Sequence, residues 1–145
     1  MTEAYWSSAY DVDPASLWAV IRRFDGLPDW HPDFRASQIV EGSSEFEVGA
    51  VRILTTNDGA EFRERLAGLD DATRTLTYEI LNSPLPLVNY RSQMQVLPIS
   101  DTASSLLIWR SSFDPTDGGL PSEAAKSVAE GAYAPALAAL HKYLA

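Results

Sequence analysis

One carboxylate in this 145-residue chain stands where solvated charges normally do not. Between Ala60 and Leu66 the residue types alternate, and Glu61, Arg63 and Arg65 make a charged row best left in water. Phe62, Glu64 and Leu66 then face inward. The same alternation turns three further rows inward: Leu76, Tyr78 and Ile80; Tyr90, Ser92, Met94 and Val96; and Leu107, Trp109, Ser111 and Phe113. Aromatic rings with polar tips and one carboxylate make a costly core, since each unpartnered buried polar group costs about 1–3 kcal/mol or more. They suit the wall of a cavity, where apolar surface carries a few convergent polar groups. Two readings of Glu64 fit: a cavity group, or a buried strut paired with Arg52 on the neighbouring strand.

The chemistry open to this set is proton transfer. Desolvation would raise the Glu64 pKa and make it a general acid or base, while Arg52 would oppose the shift, so its protonation state stays open. Tyr78 and Tyr90 could hold a carbonyl or enol oxygen. His31, in Asp29-Trp30-His31-Pro32, sits at the expected cavity entrance with Trp30. A neutral imidazole there can move protons, or it can simply hydrogen-bond within a surface loop. His31 and His141 lie far apart with no carboxylate cluster, so no metal site is expected. A Gly-rich phosphate loop and a nucleophile-elbow motif are also absent, and no cofactor is expected.

The elements that must position these residues follow from periodicity. Residues 4–12 read as a first strand. Asp13-Pro14 supplies a helix cap and a proline at the first helical position, and Leu17, Trp18, Val20, Ile21 and Phe24 predict a helix over 14–24. Gly26, Pro28 and Pro32 leave room for at most a short second helix in 25–34. The period then becomes two, with strands at 36–41, 48–56, 60–69, 73–82, 89–98 and 104–113 joined by short turns, hence antiparallel neighbours. From Ser122 to Leu144 an apolar stripe of helical period predicts one long helix, kinked at Pro135, with Gly131 easing the clash of the proline ring. The predicted class is α+β: a curved seven-stranded antiparallel sheet wrapped round a C-terminal helix.

Composition narrows the function. At this length one domain over 1–145 is expected, and the apolar fraction of 46% is enough for a core. Eleven basic residues against 20 acidic ones give a net charge of −9, with only Lys126 and Lys142 as lysines, which argues against nucleic-acid or anionic-membrane partners. Without cysteine there is no disulfide framework and no thiol chemistry. No apolar run is long enough to span a bilayer, and Met1 to Tyr10 does not read as a secretion signal, so a cytoplasmic protein, monomer or homodimer, is expected.

Arg22-Arg23-Phe24-Asp25, Val40-Glu41-Gly42, Glu64-Arg65-Leu66, Leu69-Asp70-Asp71 and Asn89-Tyr90-Arg91-Ser92 occur in an order and spacing that resembles the START-like superfamily. That group includes the birch pollen allergen, polyketide cyclase/dehydrase-like proteins and the plant abscisic acid receptors. The resemblance runs from about Trp6 to Leu144 and implies a helix-grip fold enclosing a cavity. It places Arg35 where the receptors carry a lysine that pairs with a ligand carboxylate; a solvated charge beside Asp33 is the alternative. It also places Glu64, Tyr90 and Ser92 in a polar network around the ligand. Two departures matter: the receptors' gate loop is replaced by Thr56-Asn57-Asp58-Gly59-Ala60 and their latch by Pro84-Leu85-Pro86. Hormone sensing and phosphatase control are therefore not implied.

The expected function is binding of a small hydrophobic molecule, neutral or anionic, with Arg35, Glu64, Tyr78, Tyr90, Ser92, Trp109, Trp30 and His31 as contacts. The alternative is a cofactor-independent cyclase, dehydratase or lyase using Glu64, Arg52 and Tyr78. A third reading is an interaction module with a filled core.

Overall fold

The computed structural model describes all 145 residues, beginning with strand β1 (Thr2–Tyr10). At Asp13 a side-chain oxygen accepts from the Ser16 N–H at 3.1 Å, and Pro14 opens α1 (Pro14–Ile21) where a missing N–H costs nothing. The helix stops three residues earlier than the 14–24 predicted. Leu27–Asp29 forms a single 3₁₀ turn, the short second helix.

Six strands follow as a meander: β2 (Phe34–Ile39), β3 (Val51–Thr56), β4 (Glu61–Asp70), β5 (Thr75–Asn82), β6 (Leu87–Ile99) and β7 (Ser104–Pro115). β1 then closes the order β1-β7-β6-β5-β4-β3-β2, antiparallel throughout. β3 begins at Val51 and not at 48, because Gly49 turns the chain with φ at 98°. Shifts of register on β4, β5 and β6 bend the sheet into a half-barrel.

The C-terminal helix has two halves, α2 (Pro121–Val128) and α3 (Ala134–Leu144), joined by a π turn over Ala129–Tyr133. There the Ala134 N–H reaches back to the Ala129 carbonyl. Pro135 accordingly falls in the first turn of α3, so the wider turn replaces the kink expected at the proline. A Cβ built at Gly131 meets only Ser127 Oγ, at 3.9 Å, so this position has room for a side chain. α2 and α3 lie along the β1 and β7 side of the sheet. The inner faces of β3, β4 and β5 curl round opposite them. No helix is long and apolar enough to cross a membrane.

Candidate functional site: a cavity under the C-terminal helix

The space between α2 and the curled half of the sheet is a cavity of about 760 Å³. Its apolar wall includes Leu54, Phe62, Ile80 and Phe113 from the sheet and Val128 from α2, and the Pro84-Leu85-Pro86 loop stands at its mouth.

The polar floor begins with a cross-strand pair. Arg52 on β3 sits directly opposite Glu64 on β4, and both are buried. The guanidinium donates through Nε at 3.0 Å and Nη2 at 2.7 Å, both to Oε1 of Glu64, and through Nη1 to the Phe24 carbonyl at 2.7 Å. It lies 4.0 Å over the Phe24 ring. Oε2 of Glu64 makes no hydrogen bond within the protein and keeps its accessible side toward the cavity. Burial pushes the Glu64 carboxyl up, and Arg52 pulls it back. Arginine is not deprotonated in proteins, so protonating Glu64 would strand a buried cation; the pair is ionic near neutrality.

Beside the pair runs a chain of hydroxyls. Tyr133 donates to Ser111 Oγ at 2.7 Å, so its oxygen can only accept from the Tyr90 hydroxyl. Tyr90 in turn can only accept from Tyr78, 3.3 Å away. All three phenol hydrogens are committed inside the chain, which leaves lone pairs. Burial is the main cause that holds these phenols protonated: Tyr133 is pushed up to about 12, and Tyr78 and Tyr90 are driven higher. Tyr90 owes its position to a bulge in which Asn89 and Tyr90 oppose Phe113 alone. Asn89 adopts φ of 57°, which asparagine tolerates better than most residues, and its Nδ2 donates to Asp114 at 2.9 Å.

Trp109 stacks on Tyr133 with centroids 4.2 Å apart, and its Nε1 donates to Ser92 Oγ at 2.8 Å. His31 is buried in the wall, edge-on to Phe34 and Trp109. Its Nδ1 accepts the Asp33 N–H at 3.3 Å, which puts the ring proton on Nε2. Burial lowers its pKa to about 4, with Arg52 adding to the effect and Asp33 opposing it, so the imidazole is neutral.

The nine candidates from the sequence divide into three groups. Arg52, Glu64, Tyr78, Tyr90, Trp109 and His31 line the cavity. Ser92 and Trp30 are buried one layer behind the wall: Ser92 accepts from Trp109 and donates to the Arg110 carbonyl at 3.1 Å, while Trp30 packs against Trp109 and His31. Arg35 is a correction. It is exposed and does not line the cavity, because it is the extra residue of a bulge in β2 that aims Phe34 inward and Arg35 out. It stands near Asp58 on the surface.

Tyr133 was missed among the candidates. A tyrosine in a helical stripe otherwise made of Ala, Val and Leu was the available signal, since a buried phenol needs a partner.

Comparison with known proteins adds three findings. The model of the family described as polyketide cyclase / dehydrase and lipid transport matches residues 1–145. The abscisic acid receptor PYL2 of Arabidopsis thaliana is 32% identical over an alignment of 87 residues that covers 57% of this chain and 45% of the receptor, so the match spans less than half of that relative. Among solved structures, XoxI from Bacillus cereus superposes with a TM-score of 0.86 at 33% identity, covering 98% of this chain and 94% of that one. An uncharacterised protein from Bacillus thuringiensis gives 0.86 and 33% with 99% of both chains covered, and a protein from Thermobifida fusca gives 0.85 and 28%, covering 99% of this chain and 93% of that one.

Proposed function

Because the chain belongs to the polyketide cyclase / dehydrase and lipid transport family, we propose that it binds one small, mostly apolar organic molecule as a single ligand-binding domain. The observation that carries this reading is the 760 Å³ space itself, within the range of small-molecule pockets and lined by apolar side chains with a few convergent polar atoms. The altered gate and latch loops give no support for a hormone-receptor role. A cyclase or dehydratase working through Glu64, Arg52 and Tyr78 remains the alternative, favoured by the free Oε2. Against turnover stand the Arg52 clamp on Glu64, the committed phenol hydrogens and the low basicity of His31.

The test is fluorescence titration with N-phenyl-1-naphthylamine, an uncharged probe that brightens in apolar surroundings. One saturable site per chain is expected, abolished in Val128→Trp, whose indole would fill the space under α2. Absence of a saturable site, or full binding in Val128→Trp, would contradict the reading.

A further inference from the structure

The polar atoms that reach the cavity are unequal in kind. Oε2 of Glu64 is an unpartnered acceptor, and the phenols of Tyr78, Tyr90 and Tyr133 offer only lone pairs. Trp109 Nε1 is committed to Ser92. His31 contributes a neutral Nε2–H and no charge. Arg52 is the one basic side chain in the lining, and its charge is already balanced by Glu64. At the mouth the lining residues that remain exposed include Asp33, Asp58, Asp117 and Glu123; Arg35 stands near Asp58 on the outer surface but does not line the cavity.

We infer that the cavity selects an uncharged amphipathic molecule that donates a hydrogen bond, as a hydroxyl does, to Oε2 of Glu64, and that it discriminates against carboxylates. This rests on the ligand-binding reading above and reverses the anionic preference implied by the resemblance to the receptors. An anion would approach past four carboxylates and find no uncompensated cation inside. A protonated amine would be drawn to the mouth, but at Oε2 it would sit beside the Arg52 guanidinium and add an unbalanced buried charge. A neutral hydroxyl fills the open acceptor without either cost, and an acceptor-only analogue leaves Oε2 desolvated and unpaired.

The experiment is calorimetric titration of the full chain at pH 7 with four probes on one scaffold: 4-phenylphenol, 4-methoxybiphenyl, biphenyl-4-carboxylate and biphenyl. The phenol is expected to bind at least tenfold more tightly than its methyl ether and than the carboxylate. In the double variant Arg52→Met/Glu64→Leu, with folding confirmed by circular dichroism, the preference for phenol over ether is expected to fall within threefold. Equal binding of phenol and ether, or carboxylate binding as tight as the phenol, overturns the inference, as does an undiminished preference in the double variant. Should the double variant not fold, the wild-type series alone decides. If biphenyl binds while the phenol shows no advantage, only this inference falls; if none of the four binds, the ligand-binding reading falls with it.

Discussion

The two halves of the C-terminal helix cover the same sheet but meet different surroundings. α3 presses onto a closed core: Ala136, Leu137 and Leu140 are fully buried, and the Tyr10 hydroxyl donates to the Leu137 carbonyl at 2.7 Å. α2 buries no residue completely; Ala124 and Val128 look instead across a cavity at strands that curl away. The apolar stripe is continuous through both halves, so its composition does not separate them. The separation comes from the sheet's curvature and from the π turn, which puts Tyr133 at the boundary with its ring on Trp109 and its hydroxyl in the polar chain. One half of the helix therefore carries stability, while the other is left free to roof the cavity.

The sharpest way to break this contrast is to remove one member of the buried pair. Arg52→Met alone should cost about 3–5 kcal/mol, because it leaves Glu64 buried without its partner, whereas Arg52→Met/Glu64→Leu should lie within about 1 kcal/mol of wild type. Urea denaturation checks both; equal losses in the two variants would mean that the pair is not a desolvated unit.

Next in size, Leu137→Ala under α3 should cost about 3 kcal/mol through lost burial and the new void, and Val128→Ala under α2 less than about 1 kcal/mol. If the two losses match, the halves are packed alike and the contrast fails.

A smaller effect comes from His31. Its unfolded imidazole titrates near 6.5 and the folded one at about 4, so between those values the unfolded chain binds more protons. Stability from this group is complete above the unfolded value and is lost as pH falls through the window. Between pH 7 and pH 5 wild type should lose about 2 kcal/mol more than His31→Gln, measured by denaturation at each pH. Parallel losses would show that His31 is not buried in the wall.

Much of this was legible in the residues, for identifiable reasons. Alternation between the bulges of β4 to β7 assigns faces, so Glu64, Tyr78, Tyr90 and Trp109 could be turned inward, and turns short enough to make β3 and β4 neighbours bring Arg52 opposite Glu64. Arg35 was placed by the resemblance alone, and the bulge that turns it outward is not announced by anything in Phe34-Arg35-Ala36. Ser92 and Trp30 show a different limit: alternation separates inside from outside but not the first layer of a wall from the layer behind it. Tyr133 was hidden because a helical stripe reads as core, and only the partners of its hydroxyl distinguish a lining residue from a filling one.

The proposed ligand lies under α2 and not under α3. Intermolecular nuclear Overhauser effects in the complex with 4-phenylphenol test it most directly. Contacts from the bound ring to the methyl groups of Leu54, Ile80 and Val128, with none to Leu137 or Leu140, are the predicted result. Contacts confined to surface residues, or reaching the methyl groups of Leu137 and Leu140, would contradict it.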